Sequence, residues 1–253
     1  MNELDFYEKT KNWDFSMINY TKESLTNWDL YKLLESNVNT QSKVLDLGTG
    51  GGEKVLKYFP ECKEILATDF STEMINTANN NLKNSKRKNI KFRQMDNLNM
   101  DTQDNYFDVV VARHTCINAK QIYNTLKPGG KLLLRGVDKL DCWSLKLQFG
   151  QGQAFNDEKP ISLIDYENII EAGFKKVELV PIHVREYYKT KEDLLALLLK
   201  TPILVDFSEI EGNENISNNV KIDNEILEKY IIENTTEKGI LLIRRYYGIT
   251  AIK

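Results

Sequence analysis

The stretch KVLDLGTGGGEKVLKYF, residues 43–59, decides the fold that this chain can adopt. A short apolar run is followed at once by a cluster of glycines, and a helical pattern begins directly after the cluster. Glycine permits positive φ and lets a ligand approach bare backbone. Open α/β sheets bind nucleotide-like ligands at this position, between the end of a strand and the start of a helix. The stretch therefore predicts a strand, a ligand-binding turn and a helix; a tight turn without a ligand is the alternative.

The glycine cluster departs from the dinucleotide-binding pattern G-x-G-x-x-G at its third position. Gly48 and Gly50 match the pattern, but Glu53 stands where the last glycine belongs. A helix N-terminus at that point would otherwise receive a pyrophosphate. A carboxylate there argues against a phosphate ligand and favours one with positive or neutral groups.

Short apolar runs alternate with amphipathic stretches from residue 43 to residue 136. The runs are KVLDLG, EILATDF, IKFRQMD, FDVVVARH and KLLLRGV. This alternation predicts repeated βα units around a mostly parallel sheet, that is, an α/β fold with helices on both faces. Two later runs, KKVELVPIHVREYY and GILLIRRYYGITAI, predict strands that pair antiparallel. The helical stretches KEDLLALLLK and DNEILEKYIIEN lie between them and form an insertion before the last strand.

The charge, the apolar runs and the cysteines of the chain exclude several classes of protein. The chain has 253 residues, and its 34 Lys and Arg against 37 Asp and Glu give a net charge of -3, which excludes a polycation built to hold nucleic-acid phosphates. No apolar run approaches the ~20 residues of a membrane helix, and the N-terminus has no signal-peptide pattern. The three cysteines form no C-x-x-C pair, so we predict no metal site. We expect a cytoplasmic protein with reduced thiols.

Polar side chains follow the next two predicted strands. Asp69 ends the run EILATDF, and an acidic group there can accept hydrogen bonds from ribose hydroxyls. Asp96 and Asn97 end the third run, where an Asp can accept from an exocyclic amine such as that of adenine. Each residue is alternatively a turn or cap residue. Because the three strand ends share one edge of a parallel sheet, we favour a common ligand site.

The motifs of residues 40–136 resemble those of the class I S-adenosylmethionine-dependent methyltransferases. VLDLGTGGGE is similar to the first motif of that family, ATDFS to the second, QMDNL to the third, NYFDVVVARH to the fourth, and LKPGGKLLLRG to the motif around strand five. The resemblance implies a seven-stranded sheet with an antiparallel last strand, methyltransferase activity and S-adenosyl-L-methionine as the cofactor. It implies little about the methyl acceptor.

Carried over position by position, the resemblance implies a set of cofactor-binding residues. Asp46 and the glycine turn would hold the methionine part, Asp69 the ribose, and Asp96 with Asn97 the adenine, while Arg113 would lie close to the reacting methyl. N-terminal aromatic residues often close over the cofactor in this family. The complete implied set is Asp46, Gly48, Thr49, Gly50, Asp69, Phe70, Asp96, Asn97, Arg113, Trp13 and Tyr20.

Methyl transfer from a sulfonium needs alignment and exclusion of water more than it needs acid–base chemistry. His114 is the candidate for a base or an acceptor-orienting group, and Arg113 is the candidate for a clamp on an acidic acceptor. The alternatives are a strand-end histidine bonded to backbone and an arginine in a structural salt bridge.

We expect four segments: an N-terminal helical cap (1–40), a cofactor-binding core (41–190), a helical lid (191–238) and the final strand of the core sheet (239–253). The predicted acceptor is a small molecule, because the slot after the fourth strand is not of the N-P-P-Y type and no basic tail is present. A methylated RNA is the alternative, with the basic run 83–91 as its contact, and a non-catalytic cofactor-binding sensor is another. We expect a monomer or a homodimer.

Overall fold

The computed structural model describes Phe15 and residues 17–205 and 222–253. The chain divides into two compact units. The first comprises Met1–Asn27, Asp138–Pro160 and Pro181–Tyr246, and the second comprises Trp28–Val137, Ile161–Val180 and Tyr247–Lys253.

The helices and strands follow the predicted alternation. The strands are β1 (Tyr20–Ser24), β2 (Lys43–Leu47), β3 (Glu64–Asp69), β4 (Ile90–Gln94), β5 (Phe107–Arg113), β6 (Leu126–Val137), β7 (Lys175–Tyr188), β8 (Thr235–Thr236) and β9 (Gly239–Ile252). The helices are α1 (Leu30–Asn37), α2 (Glu53–Tyr58), α3 (Thr72–Lys83), α4 (Ala119–Thr125), α5 (Trp143–Phe149), α6 (Ile161–Glu171), α7 (Lys191–Lys200) and α8 (Asn224–Asn234), with a short 3-10 helix at Pro202–Leu204.

In the second unit the strand order is β7-β9-β6-β5-β2-β3-β4, and this unit holds only the first part of β7 and the last part of β9. Strands β2 to β6 pair in parallel. Strand β9 is antiparallel to β6, because the backbone N–H of Lys253 donates to Gly130 at 3.0 Å while Tyr247 lies against Gly136. The predicted α/β fold with an antiparallel last strand is confirmed.

In the first unit, β1 pairs antiparallel with the end of β7, and β8 pairs antiparallel with β9. These two short strands are additional to the seven that the resemblance implied. Helices α7 and α8 form the predicted helical insertion before β9. The segment expected to be a helical cap thus contains strand β1 as well as helix α1.

Helices cover both faces of the sheet in the second unit. Val109 and Val111 of β5 pack in one buried cluster with residues of α1, α2 and α3. Val110 and Ala112 pack in the other, with residues of α4 and α6. Successive side chains of a strand point to opposite faces, so the apolar run FDVVVA supplies both cores at once.

The core of the first unit contains an ion-pair network as well as apolar side chains. The guanidinium of Arg244 donates to Asp141 at 2.9 Å and to Glu186 at 3.3 Å, and all three residues are buried. Removing one partner of such a network leaves an uncompensated buried charge, so the network ties β9 to β7 and to the turn before α5.

Candidate active site

The glycine turn forms as the sequence predicts, between β2 and α2. Gly48 has φ +73°, and a Cβ at this position would lie 2.7 Å from the Cβ of Thr115. Gly52 has φ +78°, and a Cβ there would lie 2.6 Å from the ring of Phe92. Both the backbone conformation and the close packing therefore require glycine.

Glu53 opens helix α2 as predicted. Its carboxylate lies over the turn, since its Oε1 is 2.6 Å from the point where a Cβ of Gly51 would stand. The negative charge thus occupies the place where a phosphate would dock, and the turn favours a ligand with a cationic group.

Asp46, in β2, is buried directly before the turn. Burial raises the pKa of this carboxyl from 3.8 to about 7. The positive charge of Arg113 and the nearby Thr49 hydroxyl lower the pKa, and the charge of Asp69 raises it, but burial dominates. Near neutral pH this carboxyl is therefore poised between its neutral and ionised forms.

Asp69 ends β3 and holds two loops together. Its Oδ2 accepts from the backbone N–H of Gly50 at 2.8 Å, and its Oδ1 accepts from that of Ser71 at 3.0 Å. Asp69 can therefore hold these loops and also bind a ligand, because each carboxylate oxygen accepts more than one hydrogen bond.

Two buried polar atoms of this region have no hydrogen-bonding partner among the described residues. They are Oγ1 of Thr49, in the glycine turn, and Oδ1 of Asn97, after β4. The Thr49 hydroxyl lies near Asp46 but outside hydrogen-bonding geometry, and the amide nitrogen of Asn97 donates to Thr115 at 2.8 Å. Buried polar atoms are normally satisfied, so these two indicate a ligand that completes them.

Asp96 and Phe70, two members of the predicted cofactor set, are exposed. The carboxylate of Asp96 accepts from the backbone N–H of Leu98 at 2.8 Å. The Phe70 side chain is 48% exposed, and its carbonyl accepts from the Gln94 side chain at 3.0 Å. Both residues lie at the carboxyl edge of the sheet, at the ends of β4 and β3, where the predicted adenine contacts belong.

Arg113 and His114 lie at the carboxyl end of β5. Arg113 is half-buried and is the in-register partner of Arg135 on β6. His114 is exposed with φ +55°, and its Nε2 lies 2.8 Å from a guanidinium nitrogen of Arg135. Since a guanidinium only donates, Nε2 accepts in this contact, and a neutral imidazole then carries its proton on Nδ1.

Sequence reasoning did not assign two residues that the fold brings here. Thr115 contacts both Gly48 and Asn97. Tyr31, on α1, interacts electrostatically with Arg113, Asp46 and Arg135, and burial raises the pKa of its hydroxyl. The only signal for Tyr31 was its place among the N-terminal aromatic residues.

The predicted N-terminal contacts remain predictions. Trp13 lies outside the described residues. Tyr20 belongs to β1 of the first unit, where its ring stacks on Tyr188 with centroids 5.4 Å apart.

A cavity of about 400 Å³ in the second unit lies beyond the strand ends. Leu98, Ile117, Asn118, Ala119, Lys120, Asn168, Glu171 and Ala172 line it. Because no residue of the glycine turn borders this cavity, we place the candidate site at the strand ends, on the unpartnered polar atoms. Within the described ranges, no His, Cys, Asp and Glu side chains group as metal ligands, and no helix is long and apolar enough to cross a membrane.

Comparison with known proteins assigns this arrangement to a family. Residues 39–189, more than half of the chain, match a family described as a methyltransferase domain. The chain belongs to this methyltransferase family. The S-adenosyl-L-methionine-dependent methyltransferase family that the motifs implied is thus confirmed, and with it the cofactor of the domain.

Two relatives align with parts of this chain. The ubiquinone/menaquinone biosynthesis C-methyltransferase UbiE of Haemophilus ducreyi is 30% identical over 123 residues, which are 44% of this chain and 48% of UbiE. The uncharacterized methyltransferase YcgJ of Bacillus subtilis is 25% identical over 101 residues, 37% of this chain and 40% of YcgJ. The chain thus spans less than half the length of either relative.

Solved structures extend the likeness of fold. The YcgJ crystal structure has a TM-score of 0.58 at 16% identity, with 88% of this chain and 97% of YcgJ covered. Phosphoethanolamine N-methyltransferase 2 of Haemonchus contortus, in complex with phosphomonomethylethanolamine and S-adenosylhomocysteine, has a TM-score of 0.51 at 19% identity, with 89% of this chain and 52% of that chain covered. At these identities the likeness concerns the fold alone.

The residues present fit the cofactor. The acidic groups of Asp46 and Glu53 suit its cationic sulfonium and ammonium groups, and the two unpartnered atoms of Thr49 and Asn97 offer it hydrogen-bonding positions. The particular contacts of each residue stay predictions.

Proposed function

We propose that this protein transfers a methyl group from S-adenosyl-L-methionine to a small-molecule acceptor. The observation that carries the proposal is the pair of unsatisfied buried atoms, Thr49 Oγ1 and Asn97 Oδ1, beside the glycine turn of a methyltransferase domain. UbiE and the phosphoethanolamine enzyme, whose names state small-molecule substrates, support the choice of acceptor class.

When bound, the cofactor would supply an activated methyl group, which would bond to the acceptor atom while the electron pair of the broken carbon–sulfur bond stays on sulfur. The chain then has to align the two reactants. We assign Asp46, Thr49 and the glycine turn to the methionine part, Asp69 to the ribose, and Asp96, Asn97 and Phe70 to the adenine.

We assign His114 to orienting the acceptor. In its contact with Arg135 the Nε2 atom of the imidazole accepts, so a neutral ring carries its proton on Nδ1. A proton on the acceptor atom, if there is one, leaves to solvent or to another group.

An RNA acceptor is less well supported. Arg87, in the basic run 83–91, donates to the backbone carbonyls of Phe59 at 2.9 Å and Pro60 at 3.2 Å, and it pairs with Glu61 at 3.0 Å. Its charge thus stabilises the loop before β3. The exposed lysines that remain in the run form an ordinary solvated surface.

Incubation of the purified protein with S-adenosyl-L-methionine labelled in the methyl group tests the proposal. Metabolite pools and ribosomal RNA are added in parallel, and S-adenosylhomocysteine formation is measured. We expect turnover with the metabolite pool. Turnover with RNA alone contradicts the small-molecule acceptor, and tight cofactor binding without turnover in either pool favours a sensor.

We also propose a cytoplasmic location, since none of the three cysteines, Cys62, Cys116 and Cys142, is in a disulfide and reducing compartments keep cysteines in the thiol form. Whether the protein is a monomer or a homodimer stays a prediction for analytical ultracentrifugation.

A further inference from the structure

The carboxyl ends of β5 and β6 carry two arginines side by side. Arg113 and Arg135 are in-register neighbours on parallel strands, so their side chains start from the same face of the sheet. Val111 and Leu133, two residues earlier in each strand, pack in the cluster on the α1 side. Both guanidinium groups therefore leave the sheet on the face that α1 covers.

Arg113 makes no hydrogen bond with any residue that the structure describes, although it is half-buried. Arg113 interacts electrostatically with the Asp46 carboxyl and with Tyr31. Asp46 compensates the charge only in part, because its carboxyl is neutral in much of the population near pH 7. Five guanidinium N–H donors thus stand at a strand end, in a geometry suited to a planar anion.

His114 orients the side chain of Arg135. One of its nitrogens lies 2.8 Å from His114 Nε2, and its carbonyl accepts from the backbone N–H of His114 at 2.8 Å. The two contacts fix the His114 turn against β6. Two cationic side chains on adjacent strands repel each other, and an anion bound between them would offset that cost.

Tyr31 brings a neutral donor to the same place. Its ring stacks on Tyr58 with centroids 4.7 Å apart, and this packing holds the ring on the face where the arginines emerge. Its electrostatic partners include both arginines. The cluster thus combines two guanidinium groups and a phenolic hydroxyl, which are all hydrogen-bond donors.

We propose that the methyl acceptor carries an anionic group, a carboxylate or a phosphate, which Arg113 and Arg135 bind beside the Tyr31 hydroxyl. This inference rests on the proposed methyl transfer to a small molecule and names the chemical class of that molecule. The methyl-accepting atom itself lies elsewhere on the acceptor.

Inorganic phosphate and acetate are the probes for the first experiment. Each is titrated by NMR into the complex of the whole protein with S-adenosylhomocysteine. We expect saturable binding of at least one anion, weakened by about tenfold or more in Arg135→Gln and Arg113→Gln, and less in Tyr31→Phe. Arg113→Lys keeps the charge beside Asp46 should Arg113→Gln fail to fold, and loss of the planar fork still weakens binding.

Lys32→Gln is the matched control. Lys32 follows Tyr31 on α1, its side chain is exposed, and the substitution removes the same charge. Anion affinity in this variant should equal that of the unaltered protein. An equal loss in Lys32→Gln and Arg135→Gln would show a general charge effect and overturn the proposal.

A second pair of probes separates an acceptor site from a contact with the cofactor. 5′-Methylthioadenosine lacks the carboxylate that S-adenosylhomocysteine carries. If Arg135→Gln weakens S-adenosylhomocysteine binding but leaves 5′-methylthioadenosine binding intact, Arg135 holds the cofactor and the proposal is wrong. Under the proposal, both nucleosides bind Arg135→Gln as they bind the unaltered protein.

A screen of metabolites as methyl acceptors is the last experiment. Metabolites that accept methyl groups are expected to be carboxylates or phosphates, with kcat/KM reduced about tenfold or more by Arg135→Gln. A neutral or cationic acceptor with unchanged kcat/KM in Arg135→Gln contradicts the anion site while leaving methyl transfer intact. Failure of the unaltered protein to bind S-adenosylhomocysteine contradicts the proposed function itself.

Discussion

Asp46→Asn tests whether the buried carboxyl of β2 couples cofactor binding to pH. Burial raises the pKa of Asp46 to about 7, so in the ligand-free protein about one-tenth of the molecules carry an ionised carboxylate at pH 6 and about nine-tenths at pH 8. A cationic cofactor binds the ionised form. Affinity for S-adenosyl-L-methionine should therefore rise by about tenfold, or about 1.4 kcal/mol, from pH 6 to pH 8.

Isothermal titration calorimetry at the two pH values measures this change. Near pH 7, titrations in buffers of different ionisation enthalpy should also detect proton release on binding. Asp46→Asn should bind the cofactor more weakly at pH 8, and its affinity should lose the part of the pH dependence that Asp46 causes. Any pH dependence that remains belongs to the cofactor or to other groups. If affinity changes with pH equally in the variant and in the unaltered protein, the reasoning is refuted.

The raised pKa of Asp46 also predicts how the stability of the protein changes with pH. The folded-state pKa is higher than the ordinary value of 3.8, so between pH 4 and pH 7 the folded protein holds a proton that the unfolded chain has lost. Stability therefore falls with rising pH across this window, by at most about 4 kcal/mol for a shift of about 3 pH units. At pH 8, without cofactor, urea denaturation should find Asp46→Asn more stable than the unaltered protein; lower stability at that pH would contradict the raised pKa.

Three further substitutions test the fold and the site. Gly48→Ala should destabilise the protein by about 1 kcal/mol or more beyond Gly129→Ala in thermal unfolding, because both glycines have φ between +70° and +80° but only Gly48 would place a Cβ against a side chain; equal losses would argue against close packing at the turn. Asp69→Asn should weaken cofactor affinity by about 1.5–3 kcal/mol in calorimetry, whereas Asp29→Asn, at the cap of α1, should leave affinity unchanged; an effect of the same size at both sites would mean that Asp69 acts only through the fold. Arg244→Leu should cost about 3–5 kcal/mol in urea denaturation because it leaves two buried carboxylates unpaired; a loss below about 1 kcal/mol would show that water reaches the network.

The local sequence determined the fold class and the cofactor. Alternating apolar runs and amphipathic stretches predict parallel βα units, because the side-chain periods of strands and helices are properties of the chain itself. Turn chemistry is equally local, so the glycine turn was placed correctly between β2 and α2, and Glu53 at the start of α2. The resemblance then supplied the cofactor from motifs that each fit within a few residues.

The local sequence did not predict which strands pair when they are far apart in the chain. Strand β1 is short and polar, and it forms only because β7 extends far enough to offer it a partner. Its pattern alone did not separate it from the helical cap that we expected. The same holds for β8, which has two residues and owes its assignment to β9.

The sequence shows which residues the site contains, but it does not show which of their side chains are neighbours. The sequence places Asp46, Asp69 and Asn97 at strand ends, and strand ends of a parallel sheet meet at one edge. Only the tertiary structure brings Asn97 onto Thr115 and sets Arg113 beside Arg135, because strand register decides which side chains are neighbours. The raised pKa of Asp46 also belongs to the fold, since burial is its largest cause and no stretch of sequence shows how much water a folded chain excludes.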